Sequence, residues 1–207
     1  MALPAATSTQ LPSGIGRVPE PFAAAVARTA ELLSAAGHHV VETTPHYGNL
    51  IPALLSRWLA GPGGPPANLD SQQLERRTRT HLRAGRVVRR AGLVRHRAKH
   101  DWIARAAAFF AEHDVLITPM LATMPPASLR WSTKGWLANA VPSIRLTAFL
   151  GPWDLAGYPA MSVPAARHPT GLPIGVQLVA PPGGEARLLA LAAQLEALSP
   201  WPRTAPQ

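Results

Sequence analysis

Three apolar runs too short to be helices set the terms for this chain: DVLIT at 114–118, MSVP at 161–164 and IGVQLVA at 174–180. Each ends at or against a proline (Pro119, Pro164 and Pro181), and each is rich in residues that suit a pleated surface. Around them lie longer stretches whose apolar residues return every three or four positions, the spacing of an amphipathic helix. Strands alternating with helices bury a sheet under those helices, so the expected fold class is α/β, a mixed β-sheet flanked by helices. At 207 residues the chain reads as one domain, large enough to bury roughly 70% of its unfolded surface.

Residues 1–18 are rich in Pro, Ser, Thr and Gly and read as an irregular lead-in, with the folded unit at 19–207. A helix is expected from Pro19, because Phe22, Val26, Thr29, Leu32, Leu33 and Ala36 share a face. Pro19 and Pro21 suit its first turn, and Gly37 its left-handed stop. Residues 38–43, with Val40 and Val41 inside, read as a short strand. A second helix is expected at 47–60, broken by GPGGPP at 61–66.

A long Arg-rich helix is expected from Leu69, capped by Asp70 or Ser71. Its apolar stripe runs through Leu74, Leu82, Val87, Ala91, Val94, Ala98, Trp102, Ala106 and Phe109, with Arg76, Arg79, Arg83, Arg86 and Arg90 along another side. Gly85 and Gly92 each cost a helix interior about 1 kcal/mol against Ala, which leaves a kink or two shorter helices open. Residues 131–150 read as one or two short helices. Residues 185–198 close the chain as a helix with Leu188, Leu191, Leu195 and Leu198 turned inward.

The formal net charge is +9, from 20 Lys and Arg against 11 Asp and Glu. The excess sits in one span, where Arg76, Arg77, Arg79, Arg83, Arg86, Arg89, Arg90, Arg95, Arg97, Lys99 and Arg105 are opposed only by Asp101. Such a stripe can neutralise phosphates, so a basic interaction module holding nucleic acid or an acidic partner is the alternative function. The apolar face of the same span carries its aromatic residues, Trp102, Phe109 and Phe110, which favours a solvated helix side over a nucleic-acid surface. The absence of cysteine excludes a disulfide scaffold and a thiolate metal site, and fits a reducing, cytoplasmic compartment. Residues 1–16 lack the basic start and apolar run of a signal peptide, and no run of about 18 apolar residues could span a bilayer. His96 and His100 stand four apart, but Arg95, Arg97 and Lys99 around them repel a cation, so no metal is expected. No phosphate-binding glycine motif is present, and no cofactor is expected.

The order helix, strand, Arg-rich helix, DVLITP, LAGYPAMSVP at 155–164, GLPIGVQLV at 171–179 and a Leu-rich last helix resembles the C-terminal half of amidase-signature enzymes. The resemblance implies a partial amidase-signature fold and a parent chemistry: hydrolysis of an amide C–N bond through a Ser-Ser-Lys acyl-enzyme, with a small-molecule amide as substrate. It implies pocket contacts at Thr118, Met120, Trp153, Asp154 and Gln177, Asp154 standing where such enzymes often have Asn, while the residues alone read as a turn cap at Asp154 and core packing at Trp153. From the residues alone, Gln177 is the one strongly polar side chain in IGVQLV; buried, its amide needs partners, as a fold staple or a pocket contact.

The Gly/Ser-rich loop carrying the family's nucleophile is not found in this sequence, and its only lysines are Lys99 and Lys134. Ser132 and Lys134 lie two apart, a spacing that does not share a helix face, so no catalytic residue is assigned. The expectation is a chain inactive alone, either a truncated relative or one half of an enzyme completed by another polypeptide, with apolar faces left uncovered that favour self-association.

Overall fold

The apolar runs become three strands of a five-stranded sheet. In the computed structural model, which describes residues 2–14, 16–61 and 72–202, the strands are β1 (Pro4–Thr7), β2 (His39–Glu42), β3 (Val115–Pro119), β4 (Ala160–Arg167) and β5 (Pro173–Val179). Their order is β2-β1-β3-β5-β4. β1 runs parallel to both β2 and β3, while β5 is antiparallel to both β3 and β4.

β1 corrects the irregular reading of the lead-in. The sequence PAAT carries no β-branched run, yet Ala5 and Ala6 are 2% and 0% exposed between two neighbouring strands. Burial on both sides, and not intrinsic propensity, makes it a strand. Pro4 occupies its first position, where a missing N–H is tolerated.

Alternation along the strands sorts side chains onto two faces. Val115, Ile117, Val163, Ile174, Val176 and Leu178 face α1 (Glu20–Ala35) and α7 (Glu185–Leu198), meeting Phe22, Val26, Leu33, Leu188, Leu191 and Leu195. Leu198, expected inward, is 44% exposed as the last residue of α7. α1 stops as expected, with Gly37 at φ 90° after it.

On the other face, Ala6, Leu116 and Val179 lie under an aromatic layer. It is built by α2 (Ile51–Ala60), α4 (His96–Phe110) and α6 (Gly151–Ala156), together with Tyr47 and Tyr158. Trp102, fully buried, donates its indole N–H to the Pro152 carbonyl at 2.6 Å. Its ring stacks on Tyr47 at 5.2 Å and meets Trp153 at 5.1 Å.

The Arg-rich stretch is two helices, α3 (Arg76–Arg90) and α4. Gly92 adopts φ 63°, and the Leu93 N–H closes on the Val88 carbonyl at 3.0 Å, a left-handed stop that favours glycine. The expected cap at Asp70 or Ser71, the start at Leu69 and residues 62–66 of the break lie outside the described residues.

The packing stripe of α3 also departs from the apolar pattern, since Val87 is 64% exposed and Gly85 is the helix's only buried residue. The contact face is His81, Gly85 and Arg89, spaced by four, set against the last carbonyls of α2. His81 Nε2 pairs with the Trp58 carbonyl at 3.1 Å and Arg89 donates to the Ala60 carbonyl at 2.7 Å. Between them, Gly85 lies so close to the Leu59 carbonyl that a Cβ would collide with it. α3 therefore packs by satisfying carbonyls that α2 leaves without intrahelical donors. α5 (Trp136–Leu146) joins this corner through Trp136, which donates to His81 Nδ1 and stacks on Trp58 at 5.7 Å.

Candidate functional site

The register Thr118↔Gln177↔Ser162 sets three polar side chains in one row across β3, β5 and β4, on the face that carries the aromatic layer. Thr118 and Gln177 are 0% and 2% exposed, so their polar atoms must find partners inside. Gln177 Nε2 donates to Thr118 Oγ1 at 3.4 Å and to the Phe149 carbonyl at 3.3 Å. Thr118 in turn donates to the Pro119 carbonyl at 3.2 Å. Beyond β3 lies Ser8, whose N–H bonds the Ile117 carbonyl and whose hydroxyl pairs with Thr44 at 2.7 Å. The sequence reading missed Ser8, Thr44 and the Phe149 carbonyl; only strand pairing reveals them.

The five candidates thus divide by access. Thr118 and Gln177 are joined, with their side-chain donors spent inside the fold, and Gln177 performs the staple role. Trp153, 1% exposed, sits within 6.2 Å centroid distance of Tyr47, Trp102, Phe110 and Tyr158, so its ring is core. Met120 is half-buried at the end of β3, its N–H on the Gly175 carbonyl at 3.2 Å. Asp154 is exposed in the first turn of α6.

Partial desolvation raises the Asp154 carboxyl above its ordinary 3.8. A carboxyl whose folded pKa is raised binds more protons folded than unfolded, so it lowers stability as pH climbs through that interval. Asp154→Asn is therefore expected to stabilise the chain slightly at neutral pH, with the gain disappearing below the unfolded carboxylate pKa; urea titrations at pH 7 and at pH 3 measure it.

Several of the remaining chemistry-bearing residues have partners elsewhere. Lys134 Nζ lies over the Trp131 ring, 4.2 Å from its centroid, and Ser132 is exposed on the same short 3₁₀ turn. His96 Nδ1 accepts from Arg57 at 3.2 Å, and among the described residues no three His, Cys, Asp or Glu side chains are grouped to hold a metal. Several cations of the basic span tie the fold together: Arg105 donates to the His46 and Tyr47 carbonyls, and Arg77 to Glu75 and Asn139. Arg83, Arg86 and Arg90 are exposed on α3. Among the described residues no helix is long and apolar enough to cross a membrane.

The family model described as Amidase matches residues 10–189. The chain belongs to the amidase family. AmiA2 of Mycobacterium tuberculosis, an amidase by name, is 36% identical over 188 residues, which are 89% of this chain and 39% of AmiA2. The 6-aminohexanoate-cyclic-dimer hydrolase of Pseudomonas sp. (strain NK87) is 48% identical over 65 residues, 31% of this chain and 13% of that protein. A solved structure of 6-aminohexanoate cyclic dimer hydrolase superposes with a TM-score of 0.75 at 26% identity, covering 100% of this chain and 47% of the other. The amidase-signature resemblance and the α/β fold are thereby established, and the chain spans less than half the length of these relatives.

Proposed function

We propose that this amidase-family chain is the scaffold part of an enzyme that hydrolyses linear amide C–N bonds, and that these 207 residues are inactive by themselves because the Ser-Ser-Lys centre lies outside them. The observation that carries this reading is the family match over residues 10–189 in a chain equivalent to 39% of AmiA2. An acyl-transfer centre needs a nucleophile, a base within hydrogen-bond reach and oxyanion donors. Of the two lysines, Lys134 rests on Trp131 and Lys99 lies on the cationic α4.

The part assigned to this chain is positional. Gln177 locks β5 to Thr118 and to the Phe149 carbonyl, and so fixes the pocket wall on which Met120 sits; Asp154 lies on the helix that follows. A buried amide with two internal bonds holds that wall without touching the reacting atoms.

The test is an amide hydrolysis assay on the purified chain, with and without the part of M. tuberculosis AmiA2 that lies outside the 188 matched residues. No turnover alone and turnover on mixing is the expected result. Gln177→Leu is expected to lower the reconstituted rate by loosening the wall, while Gln177→Glu, which keeps the shape but loses the donor, lowers it as well. Turnover by the chain alone that Ser132→Ala or Lys134→Ala abolishes overturns the reading.

A further inference from the structure

The basic span puts its arginines to two uses. Arg77, Arg89 and Arg105 donate to carbonyls or polar side chains of neighbouring elements and hold the fold. Arg76, Arg79, Arg83, Arg86 and Arg90 do not: among the described residues, none of their guanidiniums has a hydrogen-bond acceptor or a carboxylate within 4.0 Å. From residue 72 to residue 111 the only carboxylates are Glu75 and Asp101, which lie against Arg77 and Arg97.

The five form one line. Alternating steps of three and four residues keep them within about 80° of one another around α3, over a length of about 21 Å. The packing face of His81, Gly85 and Arg89 is turned about 140° away, so the line takes no part in seating α3 on α2. Like charges at these spacings repel and weaken a helix. Arg76 also stands in the first turn, where the macrodipole is positive and no acidic residue offsets it.

A line of cations that weakens its own helix is relieved by an anionic partner, and the rest of the face narrows the choice. Guanidinium forks match carboxylate and phosphate alike. A protein interface is built round an apolar centre, and α3 exposes one large apolar side chain, Val87. A single strand stacks its bases on aromatic rings; α3 has no Phe, Tyr or Trp, and the span's aromatic residues are packed in the layer under α4. A duplex needs neither feature. It carries a phosphate charge about every 1.7 Å of its axis, so a length of about 21 Å presents about 12, enough to pair all five arginines.

We propose that the face of α3 formed by Arg76, Arg79, Arg83, Arg86 and Arg90 is a sequence-independent binding surface for the phosphate backbone of duplex nucleic acid. This function is separate from amide hydrolysis and is tested without it.

The measurement is fluorescence anisotropy of a labelled DNA duplex of about 20 base pairs titrated with the purified chain at several salt concentrations. Five neutralised phosphates give a slope of about −4.5 in log affinity against log salt, a fall of about 500-fold between roughly 50 and 200 mM NaCl. Combining Arg83→Gln, Arg86→Gln and Arg90→Gln leaves two contacts, so the fall over the same interval should shrink to about tenfold, with a melting temperature no lower than wild type. Arg86→Gln alone should reduce the slope by about 0.9. Combining Arg17→Gln, Arg28→Gln and Arg167→Gln removes the same charge from exposed positions elsewhere and should leave the slope unchanged. A duplex of scrambled sequence should bind equally. No binding at the lowest salt, or equal weakening by the two triple variants, overturns the proposal. Tighter binding to poly-glutamate than to the duplex, lost in the α3 variant, assigns the face to an acidic protein and overturns it as well.

Discussion

Replacing Trp102 with Ala is expected to cost about 3–5 kcal/mol for the cavity alone. Trp102 is fully buried, and its ring packs against both Tyr47 and Trp153 in the aromatic layer. Its indole also provides the N–H that the Pro152 carbonyl accepts at 2.6 Å, and a buried acceptor left without a donor costs about 1–3 kcal/mol more. Against a total stability of about 5–15 kcal/mol, that is a large fraction. In a chain of this size the melting temperature should fall by about 10 °C or more. Trp102→Phe keeps most of the packing and loses the hydrogen bond, so it should fall between wild type and Trp102→Ala. Urea unfolding of the three proteins checks the order; a loss below about 1 kcal/mol for Trp102→Ala would mean that the aromatic layer is not the packed core described.

Gly85→Ala has an expected sign opposite to helix propensity. In a solvated helix the change would stabilise by roughly 0.5–1 kcal/mol. Here the added methyl meets the Leu59 backbone carbonyl, an atom that cannot rotate away, so α3 must lift off α2. Lifting also loosens the His81 bond to the Trp58 carbonyl and the Arg89 bond to the Ala60 carbonyl. The net effect is expected to be destabilising by about 1–3 kcal/mol, measured by thermal melting. A gain in stability would show that α3 does not pack on the end of α2 through this position.

Gly85 also shows why part of the fold was hidden in the sequence. An apolar stripe finds the packing face of a helix only where the neighbour offers apolar side chains. The neighbour of α3 offers carbonyl oxygens, so its contact residues are His81, Gly85 and Arg89, while Val87 of the apparent stripe faces solvent. The strands at 114–118, 161–164 and 174–180 were legible because apolar runs bounded by proline report burial directly. β1 was not, because Ala5 and Ala6 become a strand only through the neighbours that pair with them.

The candidate site was legible to a similar extent. Gln177 stands out as a lone polar residue in an apolar run, and its need for partners follows from chemistry. Which partners it takes, Thr118 and the Phe149 carbonyl, depends on a register and a loop with no local signature. Trp153 and Asp154 are adjacent in sequence yet differ in environment, because successive positions on α6 point about 100° apart: one ring is core, the next carboxyl meets solvent.

The central claim is that this chain holds the framework of an amide hydrolase without its attacking group. Intact-mass spectrometry after exposure to a serine-reactive fluorophosphonate measures that group directly. The chain alone should remain unmodified, and in a mixture with the AmiA2 part the adduct should appear on the AmiA2 part. A stoichiometric adduct on the chain alone, at Ser132 or any other serine, would contradict the account.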